Sequence, residues 1–235
     1  PLIYDFFVQT PKFKNMQNPD FYPVFADFGD VTQEFHIGLG SAATPGMVKG
    51  AVAIYEDLCT LPLPELMAPA IQQAREGVLI TPMQAYVLDV VAPIYTATES
   101  ARAAFLGSSG ELPEENELFK RPDLADTLES LAREGEALFY EGEIAAAIES
   151  SCLAGGYLTR QDLSSYEVLR REPLSMKYRS AQLLTNPPPT FGGILISFAL
   201  GLLESLSIET FGSDDHLQSL SHVMNFTHKA RIDAM

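Results

Sequence analysis

The sequence predicts a helix-rich α+β fold whose β-sheet is incomplete within this chain of 235 residues. Over most of the chain, apolar residues recur at helical spacing, in segments that begin and end at capping residues, glycines or prolines. Strand-like patterns are few, and the clearest are residues 2–8 and residues 182–185. Because two or three strands do not form a stable sheet alone, we expect strands outside this chain to complete it.

The N-terminal quarter combines one predicted strand with irregular segments. Residues 2–8 are aromatic and β-branched and predict a buried strand, which Pro11 closes. Residues 12–35 show no clean period and predict an ordered loop with short extended pieces. Residues 38–50, GLGSAATPGMVKG, contain four glycines and one proline and predict a tight turn that leads into a helix.

The rest of the chain is mainly helical by its apolar period and its caps. The predicted helices cover residues 65–76, residues 82–91, a segment from Asp123 to Gly135, a segment with Ile144 and Ile148 that ends at Gly155, a turn capped by Thr159 and Asp162, residues 194–206 and residues 216–235. Residues 107–118 predict an exposed loop, and the prolines of residues 186–193 predict a rigid turn.

Composition limits the classes of protein to which the chain can belong. Apolar residues make up 46% of it, which supports a sizeable core, and we interpret residues 1–235 as a single domain. A net charge of −16 argues against nucleic acid and anionic membranes as partners. The longest apolar stretch is about half of a bilayer span, so no membrane span is predicted. Cys59 and Cys152 have no metal-ligand spacing and leave the compartment open.

A catalytic serine triad is a weak alternative within these residues. Ser41, His36 and either Asp27 or Asp30 supply the residue types, but Ser41 lacks the G-x-S-x-G context of a nucleophile elbow. We interpret His36 as a hydrogen-bonded structural histidine.

Neither a metal nor a cofactor is predicted from the motifs. His216, His222 and His228 lie six residues apart in a predicted helix. Successive side chains then point about 120° apart around the helix axis, so they cannot bind the same metal ion. Residues 38–50 match neither a P-loop nor a dinucleotide fingerprint. An anion at the N-terminus of the following helix is the alternative to a purely structural turn.

Five motifs in residues 121–194 occur in the order known from one enzyme family. They read PDLADTL, EGEALFYEGEIA, GGYLTRQDL, REPLSMKYR and PPPTFGG, and upstream the SAATPGMVKG turn and the ELMAPAIQQAREG helix also match. The chain resembles the gamma-glutamyltranspeptidase family from about residue 38 to residue 235. The resemblance implies a partial large subunit, that is, the helix-rich part of the αββα sandwich of N-terminal-nucleophile hydrolases.

The resemblance also implies a mechanism whose nucleophile lies outside this chain. In the family a precursor cleaves itself, and the new N-terminal threonine of the small subunit attacks the amide. A free α-amine beside the hydroxyl acts as its base. No threonine here has the family's Thr-[Thr/Ser]-His-aromatic-Ser context, since Thr227-His228 precedes Lys229-Ala230. We therefore expect no catalytic residue in this chain, no activity of the chain alone, and the small-subunit portion of the same precursor as its partner.

One substrate contact expected from the family differs in this sequence. The family has an Asp-Phe-Arg strand whose arginine pairs with the α-carboxylate of the glutamyl group. The corresponding residues are Asp5-Phe6-Phe7, so Phe7 occupies the position of the arginine. A phenyl ring cannot pair with a carboxylate, so the sequence does not predict that the family's γ-glutamyl specificity is kept. The expected substrate is either a γ-glutamyl amide or another small amide or peptide. The alternative to an enzyme is a non-catalytic relative that acts as a binding module.

Overall fold

The computed structural model describes residues 1–14, 17–107, 109–207 and 210–234. The strands within these ranges are β1 (Ile3–Asp5), β2 (Tyr22–Asp27), β3 (Thr32–Ile37), β4 (Val78–Leu79), β5 (Leu118–Phe119), β6 (Leu169–Arg171), β7 (Leu174–Tyr178) and β8 (Ala181–Thr185). The helices are α1 (Met47–Leu58), α2 (Leu63–Glu76), α3 (Pro82–Val90), α4 (Ala92–Tyr95), α5 (Glu99–Phe105), α6 (Pro122–Glu134), α7 (Ala137–Tyr140), α8 (Glu143–Cys152), α9 (Arg160–Ser164), α10 (Phe191–Glu204) and α11 (Asp214–Asp233).

The chain divides into two compact units. The larger unit comprises residues 6–168, and the smaller comprises residues 1–5 with the described residues from 169 onward. The interpretation of residues 1–235 as a single domain stays a prediction.

The core of the larger unit is formed by α7, α8, α9 and the residues that follow α9. Tyr140, Ala145, Leu163 and Tyr166 are all 1% exposed or less. Four half-buried apolar residues pack around them: Val48, Phe139, Ile148 and Val168. Helices α2 and α6 pack against each other, and α6 also contacts α7.

For residues 12–35 we predicted an ordered loop with short extended pieces. Extended pieces are present as β2 and β3, but they pair in an antiparallel hairpin that the sequence did not predict. The residues of β2 alternate, with Val24 half-buried and Ala26 buried while Phe25 is 58% exposed. This alternation was hard to recognise in the sequence, because aromatic residues count as apolar even where, as in β2, they occupy exposed positions.

The smaller unit contains two antiparallel strand pairs and two long helices. Strand β1 pairs with β6, and the Asp5 carboxylate accepts from Arg171 Nε at 2.7 Å. The predicted buried strand of residues 2–8 is shorter than expected, because β1 covers only Ile3–Asp5. It is also less buried, because all three of its residues are only half-buried. Helix α10 begins at Phe191, three residues before the predicted start, and α11 packs against it.

Incomplete sheets are confirmed, although the predicted number of strands was too low. The described residues form four separate two-stranded sheets. Large apolar side chains stay exposed on α10, among them Phe191, Ile194, Ile196 and Phe198. No helix in the described residues is both long and apolar enough to cross a bilayer.

The predicted caps mostly hold. Thr81 and Gln84 form a capping box at α3, and Thr159 and Asp162 form one at α9. Gly135 follows α6 with a φ of 74°, a backbone conformation that favours glycine.

Candidate functional site

Phe7 lies in irregular backbone two residues after β1, with its side chain directed outward. That side chain is 79% exposed, although phenylalanine is usually buried. Its backbone, in contrast, is attached to the core of the larger unit, because the Tyr166 hydroxyl donates to the Phe7 carbonyl oxygen at 2.8 Å. Tyr166 itself is 1% exposed. The position thus combines an exposed aromatic ring with an anchored main chain.

Two glycines of the 38–50 turn allow the chain beside Phe7 to approach closely. A Cβ on Gly46 would lie 2.1 Å from both the Phe6 carbonyl oxygen and the Tyr166 hydroxyl oxygen. A Cβ on Gly50 would lie 2.1 Å from Cγ of the Phe6 ring. The glycine-rich turn therefore packs closely against residues 6–7.

A short antiparallel bridge holds the other side of this segment. The Gln9 N–H donates to the Thr44 carbonyl at 3.2 Å, and the Thr44 N–H donates to the Gln9 carbonyl at 2.7 Å. Thr44 is 1% exposed, so the bridge reaches into the core. These bonds fix the direction in which the chain leaves Phe7.

The Asp162 carboxylate ties the end of the segment to α9. One oxygen accepts from the Lys12 N–H at 2.9 Å, and the other accepts from the Thr159 N–H at 2.9 Å and the Thr159 hydroxyl at 2.7 Å. Burial raises the pKa of this carboxyl, but the donated hydrogen bonds outweigh burial and leave its pKa below the usual value. Asp162 is 6% exposed, so its charge is held inside the protein by these donors.

Replacing Asp162 by alanine is expected to lower the free energy of unfolding at neutral pH by about 2 kcal/mol, because buried N–H donors lose a charged acceptor. The pKa of Asp162 is lower in the folded state, so its stabilisation is present above the unfolded pKa and is lost as the pH falls through the folded pKa. The free energies of unfolding of the Asp162→Ala variant and the parent, measured by urea unfolding, should therefore converge progressively as the pH falls below the ordinary carboxyl pKa of 3.8.

A matched control is Asp123→Ala at the start of α6, where the carboxylate is 65% exposed and pairs with Arg121 at 2.7 Å. A solvent-exposed pair contributes little, so this change should cost about 0.5 kcal/mol. Equal losses in the two variants would contradict the role given to Asp162.

The N-terminus of α1 is occupied by a tyrosine hydroxyl. The Tyr140 hydroxyl donates to the Pro45 carbonyl at 2.8 Å and accepts from the Lys49 N–H at 3.1 Å. Burial raises the pKa of Tyr140 to about 12, so the hydroxyl stays protonated. One N–H that an anion would need is thus already bonded, which favours the structural interpretation of this turn.

Three residues of the weak triad alternative, Ser41, His36 and Asp27, have separate partners. The Ser41 hydroxyl donates to the Gly38 carbonyl at 2.8 Å. The His36 ring stacks on Phe21 and lies 3.3 Å from Glu34, and Asp27 accepts from a loop N–H. These contacts support a structural role for His36.

The histidines of α11 have different surroundings. His216 is 9% exposed and accepts from the Gly212 N–H through Nδ1 at 2.9 Å, whereas His222 and His228 are exposed. Within the ranges that the structure describes, no three His, Cys, Asp or Glu residues are grouped as metal ligands.

A sequence model of the Gamma-glutamyltranspeptidase family matches residues 17–235. The chain belongs to this family. A crystal structure of Helicobacter pylori gamma-glutamyltranspeptidase is 27% identical, with a TM-score of 0.80 over 96% of this chain and 64% of that one. The predicted fold, the helix-rich part of the gamma-glutamyltranspeptidase fold, is therefore confirmed.

The chain is similar to two curated proteins whose names describe them as proenzymes. It is 30% identical over 194 residues to the glutathione hydrolase proenzyme of Escherichia coli (strain K12), covering 81% of this chain and 33% of that protein. It is 31% identical over 199 residues to the acylase ACY 1 proenzyme of Pseudomonas sp. (strain V22), covering 83% and 35%. The chain spans about a third of the length of these relatives.

Phe7 lies before residue 17, where the match to the gamma-glutamyltranspeptidase model begins. Its equivalence to the family's arginine stays a prediction. Sequence reasoning missed Tyr166 and Gly46, which hold the main chain at Phe7. The capping box at Thr159 was visible in the sequence, but the bond from Asp162 to Lys12 joins residues 150 positions apart and left no local signal.

Proposed function

We propose that the full-length protein is a self-cleaving amidohydrolase or acyltransferase and that this chain is part of its large subunit. The observation that carries the proposal is the match to the gamma-glutamyltranspeptidase family across residues 17–235. Two relatives that it resembles over about 80% of its length are named as proenzymes, one a glutathione hydrolase and one an acylase. Both names describe enzymes that hydrolyse amide bonds.

The proposed nucleophile is a threonine outside this chain, at the N-terminus of the small-subunit portion. Its α-amine takes the hydroxyl proton, the alkoxide attacks the amide carbonyl, and the C–N bond breaks as the α-ammonium returns that proton to the leaving amine, which leaves the acyl group on the threonine oxygen. Water or a second amine then releases the acyl group from the threonine. Thr227, the only threonine here that precedes a histidine, lies inside the continuous helix α11 and is not in a position to act as a terminal nucleophile.

The proposed role of this chain at the site is to contact the acyl group through Phe7. A guanidinium at this position would bind a carboxylate with two parallel hydrogen bonds, and a phenyl ring offers apolar area instead. The exposure of the Phe7 ring supports this role, because an exposed ring is accessible to an acyl group. We therefore expect acyl groups with an apolar side at this position to be accepted at least as well as γ-glutamyl groups.

The decisive experiment uses the full-length precursor. Self-cleavage into two polypeptides, read by denaturing gel and intact mass, should precede hydrolysis of a panel containing glutathione, a γ-glutamyl anilide and anilides of aliphatic and aromatic acids. Residues 1–235 alone should hydrolyse none of them. A precursor that stays uncleaved and turns over no substrate would instead support the non-catalytic binding module.

A further inference from the structure

Phe7 combines two properties that are rarely found together. Its ring is 79% exposed, while its carbonyl oxygen accepts a hydrogen bond from the hydroxyl of Tyr166, a core residue of the larger unit. The direction of a Cα–Cβ bond is set by the backbone on either side of it. A group that fixes the carbonyl of Phe7 therefore also fixes the direction of its Cα–Cβ bond and, with it, the positions that the ring can reach in its staggered rotamers.

The Tyr166 hydroxyl is rigidly placed. The Tyr166 ring stacks on the Tyr140 ring with centroids 5.9 Å apart and an interplanar angle of 16°. Both rings are 1% exposed, so neither can change rotamer without disturbing the core. On the opposite side, Gly46 leaves only enough room for the hydroxyl and the Phe6 carbonyl to lie together.

We propose that Tyr166 is a positioning residue that sets substrate selectivity by orienting Phe7. The inference rests on the proposed function, in which Phe7 contacts the acyl group. Tyr166 itself is buried and acts through the main chain of Phe7. Small displacements of a contact residue alter the fit of a bound substrate, so loss of the hydroxyl should change selectivity as well as stability.

The first test compares two deletions of a hydroxyl group in the full-length enzyme. Tyr166→Phe removes the donor to Phe7, whereas Tyr140→Phe removes an equally buried hydroxyl that bonds Pro45 and Lys49. We expect Tyr166→Phe to reduce the kcat/KM ratio of an apolar acyl anilide over a γ-glutamyl anilide by about tenfold, mainly through KM. Tyr140→Phe should keep the parental ratio. Equal ratios in both variants would overturn the proposal.

A double-mutant cycle tests whether Tyr166 acts through Phe7. In a Phe7→Ala background there is no ring to orient, so adding Tyr166→Phe should leave the selectivity ratio unchanged. A further tenfold fall in that background would assign Tyr166 a different role and overturn the inference. If Phe7→Ala alone left the ratio at the parental value, the acyl contact assumed for Phe7 would be wrong, and the inference would be overturned with it.

A readout independent of turnover separates this inference from the proposed function. Para-fluorophenylalanine at position 7 of the full-length protein reports the surroundings of the ring by fluorine NMR, whether or not the protein is an enzyme. We expect Tyr166→Phe to shift or split the resonance and Tyr140→Phe to leave it in place. An unchanged resonance in Tyr166→Phe would overturn the positioning role even in an active enzyme, and a shifted resonance in an inactive protein would locate the failure in the proposed function.

Discussion

Replacing Gly46 by alanine is expected to lower the free energy of unfolding by about 3 kcal/mol, the largest stability effect predicted for this chain. The added Cβ would lie 2.1 Å from two oxygen atoms, those of the Phe6 carbonyl and the Tyr166 hydroxyl. The φ of Gly46 is −104°, which alanine adopts readily, so the loss comes from overlap and not from backbone strain. Urea unfolding of the parent and the variant measures it.

The control is Gly201→Ala in helix α10, where no atom lies within 4 Å of the added Cβ. Alanine is the better helix former there, so stability should rise by about 0.5 kcal/mol. A loss in Gly46→Ala no larger than the change in Gly201→Ala would show that residues 6–7 do not rest against this turn.

This turn shows what the sequence predicted and what it left open. Four glycines in residues 38–50 indicated a tight turn into a helix, and α1 begins at Met47. The partners of the turn were not predictable, since Phe6 and Tyr166 are separated from Gly46 by 40 and 120 residues along the chain. A glycine in a sequence indicates that another part of the chain can approach the backbone closely, but it does not identify the residue that does so.

Helix boundaries were predicted best where a cap is encoded locally. The Thr81-Pro82 start of α3 and the Thr159–Asp162 box of α9 depend on residues within one turn, and both are confirmed. Strands were predicted less well. Each strand of the four sheets is two to six residues long, so even where burial alternates, as in β2 and β7, the pattern is too short to stand out in the sequence.

The apolar helix α10 illustrates a related limit. Its residues are apolar on all sides, yet Ile196 is 51% and Phe191 is 52% exposed in this chain. Such a sequence is typical of a helix that is buried all round. We therefore expect residues of the full-length protein outside this chain to cover α10, and this chain spans about a third of the length of its relatives.

Replacing Phe7 by arginine is expected to give the largest effect on activity. If Phe7 occupies the position of the family's arginine, the new guanidinium can pair with the α-carboxylate of a γ-glutamyl substrate. Charged hydrogen bonds contribute about 1.5–3 kcal/mol. We therefore expect kcat/KM for a γ-glutamyl anilide, relative to an apolar acyl anilide, to rise by about tenfold to a hundredfold. Steady-state kinetics of the full-length enzyme measures this ratio.

Phe13→Arg is the matched control, because Phe13 is also an exposed phenylalanine of the N-terminal segment, at 66% exposure. It adds the same charge to this chain, whose net charge is −16, and so reproduces any general attraction of the anionic substrate. A local pairing depends on position, whereas general attraction is screened by salt. The gain in Phe7→Arg should therefore exceed that in Phe13→Arg and should persist at high ionic strength. An unchanged preference in Phe7→Arg would mean that Phe7 is not the counterpart of the arginine, and the selectivity of the enzyme would have to originate in another residue.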